Sequence, residues 1–238
     1  MFNSKKIIYI AISTVFLLCE TVLGIFMHTA SGRWINASQF LAVILACLVC
    51  IVFIKRTKDY LFTQIALIFT VFADYFLVWV SPQLKTWGMV FFLFAQTSYA
   101  IKLYVCEENQ RLKSAHIISR VILTSLILVV TGIVLGKNTD ILSLVSMAYY
   151  SNLVLNLVFA FCRFKKHYLL AIGFVFFLLC DTMIGLSMFE SYFALENTSL
   201  LYKILYPGIN LAWVFYLPSQ MLLAISLLPQ KFKKINTK

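Results

Sequence analysis

The chain has 238 residues, of which 62% are hydrophobic and only 12% are charged, and its net charge is +11. A soluble globular domain carries about 25% charged residues, so this composition excludes an ordinary soluble protein and a disordered chain. It also excludes nucleic-acid binding as the reason for the positive charge, because too little polar surface remains to display that charge on a soluble fold. We therefore expect an all-α integral membrane protein.

Eight apolar runs follow one another along the chain, each long enough for a spanning helix of about 20 residues. They cover residues 7–27, 37–54, 60–80, 86–105, 115–135, 141–162, 168–189 and 206–228. Short links join them. The sequence therefore predicts one compact bundle of eight transmembrane helices in a single domain, residues 1–238.

The positions of Lys and Arg predict how the bundle is oriented, because cytoplasmic loops are enriched in both. Of the 20 basic residues, 16 lie on one predicted side, and the other side holds only Arg33, Lys85, Lys137 and Lys203. This alternation fits eight spans. Both termini are therefore predicted to lie in the cytoplasm.

The six cysteines show no pattern of a disulfide framework or of a metal site. Cys47 and Cys50 form a CxxC pair on one face of the second predicted helix, and no second Cys or His pair accompanies it. In a soluble protein that pair would suggest metal or redox chemistry. Here we expect small side chains that pack helices together, and we predict neither a metal nor a cofactor.

Three acidic residues lie inside predicted spans, where a charge costs about 2.5–3.5 kcal/mol. Glu20, Asp74 and Asp181 belong to the first, third and seventh spans. At 1.5 Å per residue all three lie roughly 4–6 Å outward of the midplane, which predicts a shared polar site. No basic residue accompanies them, so we expect one protonated carboxyl beside one ionised carboxylate, as general acid/base chemistry requires. The alternative is a set of protonated carboxyls that only join helices.

Polar side chains of three further helices are expected to line the same site. They are Gln96 and Tyr99 on the fourth helix, Ser146, Tyr149, Asn152 and Asn156 on one face of the sixth, and Asn210, Tyr216 and Gln220 on the eighth. The second and fifth helices carry few polar residues and are expected to shield the site from lipid.

The residues around the two aspartates and Gln220 form recognisable segments. The third helix reads FADYFLVW around Asp74, the seventh reads FFLLCDTMIGL around Asp181, and the eighth reads FYLPSQMLLA around Gln220. These segments resemble the YhhN-like membrane family, whose characterised members are lysoplasmalogenases. The resemblance covers nearly the whole chain, and it implies about eight spans and cytoplasmic termini. The two family aspartates fall on Asp74 and Asp181, and the family's Tyr-x-x-x-Gln falls on Tyr216 and Gln220.

The chain departs from the family motifs at three positions. Ala73 stands where the family has Gly, and Cys180 stands where it has Ser. The His-x-x-Tyr motif of the fourth helix reads Gln96-x-x-Tyr99 here. Since Gln cannot exchange a proton near neutral pH, any acid/base role of that His is lost, while a hydrogen-bonding role survives.

The resemblance implies a lysolipid substrate within the membrane lipid and no nucleic-acid partner. A lysoplasmalogenase hydrolyses a vinyl-ether bond to a fatty aldehyde and a glycerophospho-alcohol, and two carboxylates suit this reaction as they suit glycoside hydrolysis. We expect Asp74 and Asp181 to be catalytic, in either order of acid and base. The supporting residues are expected to be Glu20, Gln96, Tyr99, Asn152, Tyr216 and Gln220. The implied location is a bacterial cytoplasmic membrane.

Two other interpretations stay open at the level of sequence. Intramembrane acids are typical of small-solute or proton transporters. A non-catalytic relative that binds lipid would also keep these residues, and Gln96 in place of His favours it. Flux in liposomes would indicate the first, and lysolipid binding without product would indicate the second.

Overall fold

The protein folds into α-helices throughout the residues that the structure, a computed structural model, describes: 4–29, 31–52, 58–80, 82–189 and 209–227. The helices are α1 Ser4–Thr29, α2 Arg33–Val52, α3 Lys58–Asp74, α4 Lys85–Val105, α5 Gln110–Leu135, α6 Ile141–Cys162, α7 Phe164–Phe189 and α8 Leu211–Ile225. A π-helix, Tyr75–Trp79, continues α3 directly after Asp74. Short 3-10 turns at Pro82–Leu84 and Gly136–Asn138 precede α4 and follow α5.

Within the described residues, the predicted all-α class is confirmed and eight α-helices are present. Seven helices are long and apolar enough to cross a membrane, and α8 is an apolar helix of 15 residues. The predicted eighth span, 206–228, extends beyond α8 into residues outside the described part of the chain. The predicted start of the seventh span at residue 168 coincides with a break inside α7, where His167 leaves helical geometry at φ −130° and ψ 29°.

The bundle is built around the neighbouring pairs α3–α4 and α7–α8, with α6 packed against α4 and α7. Helix α2 packs against α1, α3 and α8, and α1 also contacts α8. The core lies between these helices and includes Val43, Leu67, Leu153, Phe174 and Leu223. Cys47, Cys50 and Cys180 are unoxidised and belong to the same core, as small packing residues.

Helix α5 lies at the edge of the bundle, where it packs chiefly against α6. Its outward side chains include Ile133 and Val134, which are 75% and 72% exposed. An exposed apolar surface of this extent is typical of a helix that faces lipid. The expectation that α5 faces lipid rather than the polar site agrees with this position.

Charged groups fix two of the links between helices. Arg163 forms an ion pair of 2.5 Å with Glu107, which joins the α4–α5 link to the α6–α7 link. The guanidinium holds the pKa of Glu107 below its usual 4.5, at about 2. At the start of α6, Asp140 accepts a hydrogen bond from the backbone N–H of Ser143, and this contact with Ser143 lowers the pKa of Asp140. Such an acidic cap satisfies one free N–H of the first turn.

Candidate active site

A cavity of about 500 Å³ opens at the outer end of the bundle, defined here as the end at which α2, α4 and α8 begin. Its polar lining consists of Asn36, Gln39, Asp74, Cys180, Asp181, Asn210 and Tyr216. Its apolar lining consists of Ile35, Leu77, Val78, Phe92, Ile184, Ala212 and Trp213. The cavity is thus assembled from α2, α3 with its π-helix, α4, α7 and α8.

The structure brings Asp74 of α3 and Asp181 of α7 to this one cavity. Asp74 is buried, and its Oδ2 accepts a hydrogen bond of 2.5 Å from the hydroxyl of Tyr216 on α8. Asp181 is half-buried, and its Oδ2 accepts a hydrogen bond from the hydroxyl of Tyr149 on α6. Each carboxyl is therefore held at one oxygen by a tyrosine from another helix.

A ring cluster fixes the two tyrosines. The ring of Phe92, which lines the cavity, lies 5.4 Å from that of Tyr149 and 6.4 Å from that of Tyr216. Phe177 contacts the same two tyrosines, at 6.3 Å and 5.5 Å between ring centroids. All four rings are buried. Packed rings restrict side-chain rotation, so the hydroxyl groups stay directed at the carboxylates.

The π-helix places the end of α3 against the cavity. Directly after Asp74 the α-helix changes to a π-helix, and Leu77 and Val78 of this π-helix line the cavity. The helical segment ends at Trp79, and the last carbonyl groups of a helix have no partner within it. The side-chain amide of Asn36 on α2 donates to the carbonyl oxygen of Val78 at 3.3 Å, and so compensates one of them.

The close approach of α4 to α3 depends on a glycine. A Cβ at Gly88 would lie 2.7 Å from Leu77 Cγ and 3.1 Å from the carbonyl oxygen of Ala73, the residue before Asp74. Only a residue without a side chain fits there with the present backbone. Gly88 therefore lets α4 pack directly behind the first aspartate.

The charge of the cavity lining is entirely acidic within the described residues, where no Lys or Arg lines it. Asn36, Gln39 and Asn210 add neutral amides to the same lining. Within the same described part of the chain, no three His, Cys, Asp or Glu side chains are grouped so as to hold a metal ion. The site offers two carboxyls, two phenols and amides, which can move protons and orient a neutral polar substrate.

A sequence profile of the YhhN family matches residues 34–227 of the chain. The chain belongs to the YhhN family. The match begins at α2 and includes every residue that lines the cavity. Searches of curated proteins and of solved structures each found no match.

Of the other predicted site residues, Tyr216 and Asn210 line this cavity. Five do not line it: Gln96, Tyr99, Gln220, Glu20 and Asn152. Gln96 and Tyr99 are fully buried inward of it, on the helix face that continues from Phe92. Gln220 is buried one turn inward of Tyr216, and Glu20 is fully buried in α1, which contacts α2 and α8. These four side chains lie in the bundle interior, about one helical turn or more inward of the cavity.

Asn152 belongs to a separate polar network. Its Oδ1 accepts a hydrogen bond of 2.7 Å from Arg120 on α5, and Asn156 Oδ1 accepts a second one, also of 2.7 Å. Asn156 in turn donates to Gln96 Oε1 at 2.8 Å. Arg120 lies ten residues inside α5, and these neutral amide partners hold its charge there.

The expectation that the second helix contributes little is wrong. Ile35, Asn36 and Gln39 of α2 line the cavity, and Trp213 of α8 joins them. Asn36 and Gln39 are the two amides near the start of an otherwise apolar helix. Their spacing of three residues puts them on one face, and this signal could have identified them.

Proposed function

We propose that this chain hydrolyses the vinyl-ether bond of a lysolipid, as a lysoplasmalogenase does. The observation that carries the proposal is the pair Asp74 and Asp181, which line one cavity and each accept a hydrogen bond from a tyrosine of another helix. Membership of the YhhN family, which includes lysoplasmalogenases, supports it. The closest mechanistic parallel is the pair of carboxylates that hydrolyses glycosides.

The reaction needs a proton donor and a proton acceptor on one substrate. One carboxyl gives its proton to the β-carbon of the vinyl ether, which leaves an oxocarbenium ion at the α-carbon. Water adds to that carbon and gives a proton to the other carboxylate. The hemiacetal then collapses to a fatty aldehyde as its bond to the glycerol oxygen breaks. Its hydroxyl returns a proton to the first carboxylate, and the glycerol oxygen takes the proton held by the second carboxyl. One water is consumed, and both carboxyls return to their starting states.

The cavity suits an amphiphilic substrate. Leu77, Val78 and Ile184 offer apolar contact to the alkenyl chain. The amides of Asn36 and Asn210 offer neutral hydrogen bonds to a glycerol hydroxyl. We place the alkenyl chain between the helices and the head group towards the outer interface.

The direct test is release of a fatty aldehyde from a lyso-vinyl-ether phospholipid by the purified protein in detergent. We expect release from the wild type and none from the matched alkyl-ether lipid, which has no double bond to protonate. Asp74→Asn and Asp181→Asn should each abolish release without loss of folding. Asp140→Asn is the control, because it alters an acid outside the cavity and keeps a good helix cap.

The isotope content of the product tests the type of reaction. In heavy water the aldehyde should carry one deuterium on the carbon next to the carbonyl, because that carbon receives the proton. A product without this deuterium would contradict carbon protonation. A folded, inactive wild type that drives solute flux in liposomes would be a transporter. One that only binds lysolipid would be a non-catalytic relative.

A further inference from the structure

Five buried side chains beneath the cavity carry polar atoms with no hydrogen-bond partner among the described residues. These atoms are Gln96 Nε2, the hydroxyls of Tyr99 and Ser219, both amide atoms of Gln220 and both carboxyl oxygens of Glu20. Each of the five side chains is at most 1% exposed. Buried polar groups are nearly always paired with protein or with ordered water, so this concentration calls for an explanation.

Ring contacts between helices show that four of these side chains lie at similar depths along the bundle axis. They are Gln96, Tyr99, Ser219 and Gln220. Phe92 of α4 contacts Tyr216 of α8 and Phe177 of α7. Gln96 and Gln220 each follow one of these contact residues by four positions, which is about 6 Å or one turn inward. Ser219 precedes Gln220, and Tyr99 lies one further turn inward on α4.

Two further contacts agree with this alignment of α4, α7 and α8 along the bundle axis. The ring of Tyr99 lies 5.2 Å from that of Phe174 on α7. A Cβ at Gly173, the residue before Phe174, would meet Leu223 of α8 at 3.0 Å. The segment of α7 around Phe174 is therefore at the level of both Tyr99 and the turn that follows Gln220.

Helix α1 brings Glu20 to the same region. Gly24 of α1 faces Leu217 of α8, since a Cβ there would lie 2.9 Å from Leu217 Cδ2. The two helices run in opposite directions, so moving back one turn on α1 corresponds to moving forward one turn on α8. Glu20 is therefore level with Met221, and next to Gln220.

The mixture of donors and acceptors indicates what these groups bind. Gln96 presents its Nε2 donor, because its Oε1 already accepts from Asn156. A cation would need acceptors alone, and an anion would need donors alone, whereas Glu20 and Gln220 also present acceptor oxygens. Water donates and accepts, and typically makes about three hydrogen bonds to otherwise unpaired buried groups.

We propose that Glu20, Gln96, Tyr99, Ser219 and Gln220 hold buried water one helical turn inward from Asp74 and Asp181, and that this store supplies the water consumed in hydrolysis. The use of this water in hydrolysis rests on the proposed function. The store adjoins the aspartates through α8, where Gln220 follows Tyr216, the partner of Asp74, by one turn. When a lipid substrate fills the cavity, its chain blocks the entry of water from the outer end, so hydrolysis needs such a protected supply.

Radiolytic hydroxyl-radical labelling of the full-length protein tests the store without using activity. Radicals form from bound water, so the wild type should label Tyr99 and Phe174, although both are buried. The double variant Ser219→Ala, Gln220→Leu should lose this labelling. Ser98→Ala and Gln64→Leu are the matched controls and should keep it, because Ser98 donates to Phe94 and Gln64 donates to Cys50. No labelling in the wild type, or equal labelling in the double variant, would overturn the proposal.

Two further measurements separate the remaining outcomes. Gln220→Leu should lower kcat for aldehyde release and leave KM unchanged, because it removes water and not substrate contacts. If labelling is present but the wild type hydrolyses no vinyl ether, the proposed function fails and the water site stands without its role in hydrolysis. If sodium, compared with choline, stabilises the wild type and not Gln220→Leu, the site binds an ion and the proposal is overturned.

Discussion

Each aspartate of the cavity depends on a tyrosine from a different helix. Tyr216 of α8 holds Asp74 of α3, and Tyr149 of α6 holds Asp181 of α7. Both bonds reach Oδ2. The second oxygen of each carboxyl has no hydrogen-bond partner among the described residues, so it is free to exchange a proton with substrate or water.

Removing either tyrosine hydroxyl should lower activity and preserve the fold. Tyr149→Phe and Tyr216→Phe keep the ring contacts with Phe92 and Phe177 but lose a hydrogen bond to a charged or reacting group. Such a bond contributes about 1.5–3 kcal/mol, which corresponds to a loss of about 10- to 100-fold in kcat. Tyr150→Phe is the control, since its hydroxyl contacts Thr182 across the same two helices, away from the carboxyls.

The sequence predicted how deep in the membrane each acidic residue lies, but not which side of its helix faces the cavity. The depth of Asp74 and Asp181 predicted a common site, and both line one cavity. Glu20 was expected with them, yet it points into the contact of α1 with its neighbours and does not line the cavity. Helices that are apolar all round give no preferred face, so only packing decides which side chain meets which.

At the scale of elements, the site depends on the contact between α3 and α4. Gly88→Ala would force a Cβ against Leu77 and the carbonyl of Ala73, which displaces the turn that carries Asp74. We expect a loss of about 1–3 kcal/mol in stability, together with most of the activity. Thermal unfolding and aldehyde release in detergent measure the two effects.

Gly132→Ala is the matched control for that substitution. Gly132 is on α5, the helix at the edge of the bundle, and nothing lies within 4 Å of a Cβ built there. Its replacement should stabilise the helix by about 0.5–1 kcal/mol, because Ala loses less conformational entropy than Gly. If both variants behave alike, the close approach of α4 to α3 is not what positions Asp74.

The ion pair between Glu107 and Arg163 makes the stability of the protein depend on pH, because it joins the α4–α5 link to the α6–α7 link. The pKa of Glu107 is lowered from 4.5 to about 2, so the pair contributes fully above pH 4.5. That contribution is lost as the pH falls from about 4.5 towards 2. At pH 7 Glu107→Gln should therefore lower Tm, by at most about 4 °C because the pair is partly exposed.

Thermal unfolding followed by tryptophan fluorescence between pH 7 and pH 3 checks this dependence. The difference between wild type and Glu107→Gln should shrink as the pH decreases, and high salt should also reduce it. Glu108→Gln, at an exposed neighbouring acid, is the control. A difference that grows in acid would have the wrong sign for a carboxylate whose pKa is lowered.

At the scale of the whole molecule, the number and order of helices were predictable from sequence. Runs such as 115–135 and 141–162 are long, apolar and separated by short polar links, and both appear as helices at nearly those positions. The π-helix after Asp74 was not predictable, because it arises where α3 packs against α2 and α4 rather than from a local signal. The contribution of α2 was missed for a different reason, because the spacing of Asn36 and Gln39 does give a local signal for one polar face.

The orientation of the bundle is a prediction that reporter fusions can test. The 16 basic residues on one predicted side should place both termini in the cytoplasm. A fluorescent protein fused to either end should fluoresce, and alkaline phosphatase fused to either end should stay inactive. The opposite result at one end would indicate an odd number of spans.

A double-mutant cycle on aldehyde release tests the central claim, that Asp74 and Asp181 act as one acid/base pair. Asp74→Asn, Asp181→Asn and the double variant would be compared at equal amounts of folded protein. The account predicts that each single variant loses nearly all activity and that the double variant is no worse than either, because groups that act as a unit are strongly non-additive. Independent, additive losses, or one single variant with wild-type activity, would contradict it.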